Sequence, residues 1–182
     1  MEEIITLLRD AGAMLEGHFL LSSGRHSDRY FQCAQLLQYP DRAEAALRPL
    51  AARIQAEALG IDVVIGPALG GIIVAYELGR QLRLPARFTE RDDQGAMALR
   101  RGFTVREGER VLITEDVITT AVSSRETAQA LQALGAQIVG LACLVDRRAE
   151  GVSLPWPLYA AARIPVESWD ETSCGLCKQG LP

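Results

Sequence analysis

The chain has 182 residues, a formal charge of −4 and 48% hydrophobic residues, enough for one compact domain with a substantial core. A mildly acidic total excludes broad binding to a nucleic-acid backbone, which requires a basic face, but leaves room for one small anion site. No apolar run approaches the roughly 20 residues of a membrane span, and the opening MEEIITLLRD lacks the basic and apolar regions of a secretory signal; a cytoplasmic protein with no membrane or nucleic-acid partner is expected.

In chain order, residues 3–15 read as a short amphipathic helix through Ile4, Leu7, Leu8 and Ala11, with Gly12 near its end. FLLSSGRHSDRYFQCAQLL (19–37) has strand-like pieces around a polar turn. From Asp41 to Leu59 the period is helical. Leu47, Leu50, Ala51, Ile54 and Ala58 share a face, Asp41 suits an N-cap and Gly60 a stop. IDVVIG (61–66) is a continuous apolar run, the mark of a strand covered on both sides.

PALGG then leads into a helix over 72–82, and ARFTE (86–90) suggests another strand. Residues 92–102 carry Gly and charge without a clean period and read as a loop with hairpin character. VLITED (111–116) is a second buried strand. Residues 123–136 form a helix with Ala128, Leu131 and Leu134 inward and Gly135 as its stop. IVGLACLV (138–145) and LYAAARI (158–164) complete the strands. Alternating strands and helices at this spacing predict right-handed crossovers and an α/β fold: an open parallel central sheet flanked by helices.

In such sheets ligands sit beyond the carboxyl ends of the strands. Glu115 and Asp116 end one strand and lead through Thr119 and Thr120 to Ser123 and Ser124 at a helix start. A helix N-terminus with unpaired N–H groups and hydroxyl donors suits a phosphate monoester. The two carboxylates suit sugar hydroxyls, or an Mg²⁺ that holds phosphates. Serine at a helix start is ordinarily only a cap, and paired acids are ordinarily solvated; together, after one buried strand, they point to a ribose phosphate. GPALGG could bring backbone amides to an anion, or be a plain tight turn. Arg91, Arg100 and Arg101 could clamp a polyphosphate, or decorate a solvated hairpin. Arg147, beside Asp146, reads by default as an exposed ion-pairing residue.

Cys143 lies in an apolar run and reads as core. Cys174 and Cys177 form a single C-x-x-C, and no second pair of cysteines is visible for a zinc ribbon. The favoured expectation is an ordinary thiol pair; the alternatives are a redox pair and a metal half-site completed by another subunit.

The E-D-V-I-T-T run after an apolar strand resembles the phosphoribosyl diphosphate (PRPP) signature of the type I phosphoribosyltransferases. Within them the chain resembles the orotate phosphoribosyltransferases. FLLSSGRHSDRYFQ is similar to their orotate-binding stretch, GPALGG to their diphosphate loop, TERDDQGAMALRRGF to their mobile loop and LVDRR to a second orotate segment. The tail CGLCKQGLP resembles that of one bacterial branch.

The resemblance implies one domain over 1–182, with residues 1–40 as a small base-covering hood and 89–103 as a mobile loop. It implies transfer of a phosphoribosyl group from PRPP to orotate, giving orotidine 5′-monophosphate and diphosphate. Glu115 and Asp116 would engage the ribose, with Mg²⁺ held through PRPP and these acids as candidate ligands. Val117 and Ile118 would also bind PRPP, and Thr119, Thr120, Ala121, Val122 and Ser123 would hold its 5-phosphate. Ala68, Leu69, Gly70, Gly71 and Arg91 would meet the diphosphate, with Arg100 and Arg101 assisting at the transition state. Thr119, Arg147, Tyr30, Phe31 and Ser22 would surround orotate. A homodimer in which loop 89–103 serves the neighbouring site is implied.

Three positions depart from the family pattern. Ala121 and Val122 replace small, mostly glycine residues, and a β-branched residue at positive φ is costly. Lys178 is the only lysine, so Arg100, Arg101 or Gln94 would have to stand in for loop lysines. Ser22 replaces a basic residue, which removes a charge from the base pocket. These departures leave two alternatives: a transferase for another base such as a purine, and a non-catalytic PRPP-sensing module.

Overall fold

In the computed structural model, residues 2–21, 24–166 and 168–180 are described. Ser22, assigned above to the base pocket, lies outside them.

The chain runs α1 (Glu2–Asp10), β1 (Met14–Leu20), β2 (His26–Phe31), α2 (Ala34–Leu37), α3 (Pro40–Ala56), β3 (Val63–Pro67), α4 (Gly70–Leu82), β4 (Ala86–Arg91), β5 (Met97–Leu99), β6 (Arg110–Ile118), α5 (Val122–Ala133), β7 (Gln137–Asp146), β8 (Leu158–Arg163), β9 (Ser168–Trp169), a 3₁₀ turn at Glu171–Ser173 and α6 (Gly175–Lys178). The central sheet has the order β5-β4-β3-β6-β7-β8. All its pairs are parallel except β4–β5. A smaller antiparallel sheet, β1-β2-β9, stands apart from it. Its third strand comes from the far end of the chain, at 168–169, beyond the 1–40 segment expected to form it.

Side-chain alternation along the buried strands explains the layering. Val64 and Leu112 face α3 and α4, in one core with Leu47, Leu50, Ile54, Val74 and Leu78. Val63, Ile65, Val111 and Ile113 face α5, in a second core with Ala128, Leu131 and Leu141. Both sides of the sheet are therefore dry, which is why these strands read as unbroken apolar runs.

Several expectations are corrected at element ends. The first helix stops at Asp10 because Gly12 takes φ +66°, and residues from Met14 on belong to β1. Pro40, not Asp41, opens α3, where its missing N–H costs nothing. Ala58 lies beyond that helix and Leu134 beyond α5, where it is 52% exposed. The loop over 92–102 contains a strand, β5, pairing back on β4 as a hairpin at the sheet edge.

Candidate functional site

The strand-end loops meet where β6 and β7 leave the sheet side by side. Val117 pairs with Val145 and Ile118 with Asp146, and the Arg147 N–H donates to the Ile118 carbonyl at 2.8 Å. This register sets Thr119 and Thr120 next to Arg147. With Leu20 and Tyr30 of the small sheet, Leu21 and Arg25 between its first two strands, Ser168 of its third strand and Val166 just before it, they line a cleft of about 640 Å³.

Arg147 does not pair with Asp146. That carboxylate is held by Arg148, whose Nε reaches Oδ1 at 2.9 Å and Nη2 reaches Oδ2 at 3.0 Å. The Arg148 pair and its hydrogen bonds hold Asp146 below the usual carboxylate range despite the opposing effect of burial. Arg147 instead turns to the cleft, with its Cζ 4.8 Å from the Phe31 ring centroid. Its Nε is buried without a hydrogen-bond partner, and desolvation lowers its guanidinium from the ordinary value. A half-buried cation of this kind, stacked on an aromatic face, offers planar donors to an anion. Phe31 is buried behind it and Tyr30 is 38% exposed at the cleft. A second cation, Arg25, also lines the cleft, braced by Ser168 Oγ at 2.9 Å, the Ser168 carbonyl and Asp170 at 2.9 Å. Sequence reasoning counted a charge lost at Ser22 and missed Arg25, three residues on.

The adjacent acids part company, as successive strand residues must. Glu115 is 6% exposed and turns to the start of α5, accepting from Ser123 Oγ at 2.5 Å and Ser124 Oγ at 3.4 Å. These serines are therefore not caps; the N-cap is Ala121, and no side chain caps the helix. Burial pushes the Glu115 carboxyl up to about 7, opposed by the two serine hydroxyls and reinforced by the Asp116 charge. Asp116 is also raised by burial. Its carboxylate lies against Gly70, where any Cβ would collide with it. Gly71 packs as closely, because a Cβ there would come within 2.7 Å of the Thr114 carbonyl oxygen. The glycines of PALGG thus let this loop lie directly on β6; its Ala68–Leu69 peptide is cis and Leu69 is 85% exposed. Cys33 is buried where it feels the charges of both Asp116 and Arg147, which places the acid near the cleft.

The strained position in the loop is Ala121, with φ +58°. Val122 is the first residue of α5. The β-branched side chain thus escapes the left-handed region, and alanine, which tolerates it better, occupies it.

Arg91, Arg100 and Arg101 do not line the cleft. Arg91 bonds the Gly95 carbonyl at 2.6 Å and Glu126 at 2.7 Å. Arg101 reaches Glu90 at 2.8 Å, and Arg100 lies 3.9 Å from Glu90 and 3.8 Å from Asp93.

A phosphoribosyl transferase domain family matches residues 34–154. The chain is 50% identical over 181 residues to an orotate phosphoribosyltransferase of Pelotomaculum thermopropionicum, covering 100% of this chain and 94% of that one. Among solved structures it is similar to the orotate phosphoribosyltransferase of Aeropyrum pernix, with TM-score 0.73, 28% identity and coverage of 97% and 98% of the two chains. The Mycobacterium tuberculosis orotate phosphoribosyltransferase solved with PRPP is alike in fold, with TM-score 0.66, 23% identity and coverage of 88% and 94%.

Proposed function

The chain belongs to the orotate phosphoribosyltransferases of the phosphoribosyl transferase family, and from that premise we infer how its own residues divide the work. The enzyme transfers a phosphoribosyl group from PRPP to orotate, giving orotidine 5′-monophosphate and diphosphate in pyrimidine biosynthesis. The bond from C1 of the ribose to diphosphate breaks as a bond forms to the orotate ring nitrogen, whose proton is released.

The observation that carries the base assignment is Arg147: a half-buried guanidinium with an unpartnered Nε, facing a cleft beside Thr119. It would receive the orotate carboxylate or a ring carbonyl, with Tyr30 lining the pocket and Phe31 backing the guanidinium. Arg25 supplies the second positive charge. The uncapped start of α5, from Thr119 to Ser123, suits the 5-phosphate. Asp116, lodged against Gly70, suits the ribose hydroxyls and joins the two PRPP loops. Glu115 supports the phosphate loop through Ser123 and Ser124.

The donor set fits Mg²⁺ held through PRPP. Asp116 offers hard oxygen at the mouth of both loops, while Glu115 is engaged by serine hydroxyls. The ion would neutralise charge on the departing diphosphate. The enzyme's residues otherwise act by positioning, since orotate is already anionic and needs orientation more than a strong base. That Arg91, Arg100 and Arg101 avoid their own chain's cleft supports a homodimer in which hairpin 89–103 serves the neighbouring site. Among the described residues no helix is long and apolar enough to cross a membrane.

With PRPP and Mg²⁺, the purified chain should consume the ultraviolet absorbance of orotate. Turnover of a purine in place of orotate, or PRPP binding without turnover of any base, would overturn the assignment.

A further inference from the structure

The chain has two histidines, His18 and His26, and both converge on the C-x-x-C of the tail. His18 lies on β1 and His26 on β2. The β1–β2 register shifts between Glu16 and Phe19, and His18, within that irregularity, lies with its ring centroid 4.8 Å from that of His26. The third strand, β9, pairs with β2 at Trp169↔His26. From there the 3₁₀ turn brings the chain round to Cys174 and α6. One ligand atom from each of His18, His26, Cys174 and Cys177 falls within 4.8 Å of the others.

We propose that these four residues form a structural Zn²⁺ site that clips the tail of the chain onto the small β1–β2–β9 sheet. The distances fit a tetrahedral ion. Zn–S near 2.3 Å and Zn–N near 2.0–2.1 Å set an N···S edge of roughly 3.6 Å. The observed edges are 3.5 Å from Cys174 Sγ to His18 Nε2, 3.6 Å from Cys177 Sγ to His18 Nε2 and 3.2 Å from Cys177 Sγ to His26 Nδ1. The two ring nitrogens lie 2.7 Å apart, closer than the roughly 3.3 Å of an ion-bound pair, so loading would part them by about half an ångström. Two thiolates and two imidazoles form a soft set that selects Zn²⁺ over Mg²⁺ or Ca²⁺, and four protein ligands leave no open position for catalysis.

The cysteines are thus neither an isolated thiol pair nor half a site awaiting another subunit: their partners lie in the same chain, more than 140 residues earlier. Placement gives the ion a further role. His26 adjoins Arg25, which lines the cleft and is itself bonded to Ser168 on β9. The ion would hold the start of β2, next to this cation, against the tail that follows β9.

The decisive measurement is elemental analysis of the full chain purified without chelator. One Zn²⁺ per chain is expected in the wild type, and loss of that ion in C177S and in H26N. Stripping the wild type and titrating Co²⁺ covers the case in which a variant fails to fold. It should give intense tetrahedral d–d bands with thiolate-to-cobalt charge transfer, and a higher thermal midpoint than the stripped protein. Stoichiometric iron, an octahedral cobalt spectrum without the thiolate band, or metal-free native protein carrying a Cys174–Cys177 disulfide would each overturn the site. None of these readouts depends on the reaction catalysed.

Discussion

Replacing Glu115 by Gln tests whether the buried acid beside the start of α5 is a strain on the folded protein. The carboxyl is 6% exposed, and its value is raised from 4.5 to about 7, chiefly by burial. Because the folded state binds this proton more tightly than the unfolded chain, protonation favours folding. That contribution is complete below about pH 4.5 and is lost as pH rises through about 7. At 1.36 kcal/mol per pH unit, the displacement corresponds to about 3 kcal/mol. Glutamine is neutral throughout, and its carbonyl can still accept from Ser123 Oγ. E115Q should therefore match the wild type near pH 4.5. It should exceed it by about 3 kcal/mol above pH 7, or by roughly 6–12 °C in Tm for a chain of this size. Urea unfolding at a series of pH values measures this directly. An offset that does not vary with pH, or a variant less stable in alkali, would refute the reasoning. The same substitution should weaken PRPP binding, through the altered contacts to Ser123 and Ser124.

Arg147 and Arg148 should separate cleanly. R147A should raise the KM for orotate about 10- to 100-fold with PRPP binding little changed, the loss of one charge-assisted recognition. R148A should instead cost about 3 kcal/mol of stability, by stranding the buried Asp146 carboxylate, with the orotate KM held; steady-state kinetics and urea unfolding distinguish them, and the reverse pattern would contradict the geometry. G70A should displace Asp116 and sharply weaken PRPP affinity by calorimetry, because a Cβ has no room there; unaltered affinity would remove Asp116 from the site. At Ala121, φ +58° predicts that A121G is neutral or stabilising by up to about 1 kcal/mol, while A121V is destabilising by more than that; a neutral A121V would contradict it.

Much of this protein was legible in one dimension. The apolar runs 63–65, 111–113 and 141–145 announce strands covered on both faces, and the period at Leu47, Leu50 and Ile54 announces a helix. The acids near the end of β6 and the threonines and serines that follow it mark the candidate site, which the β6–α5 turn does bring together. All of these depend on a few neighbouring residues, because strand and helix periods and the chemistry of a strand end are local properties. Element ends were less legible: Gly12, Pro40 and Ala58 show that a single backbone preference can override the apolar period by several residues.

What only the tertiary structure decided is the choice of partner. Arg147 and Arg148 are adjacent and alike; the β6–β7 register sends one to the cleft and the other to Asp146. Glu115 and Asp116 are adjacent and alike; the pleat sends one to the serines of α5 and the other to Gly70. The left-handed residue fell on Ala121 and not Val122 because α5 begins one residue earlier than its serines suggested. His18, His26, Cys174 and Cys177 meet only because β9 crosses back to β2. Short-range pattern encodes burial and backbone conformation, whereas which charges and ligands face one another is set by strand register, pleat and chain crossing, at separations from 2 residues for Asp146 and Arg148 to 151 for His26 and Cys177.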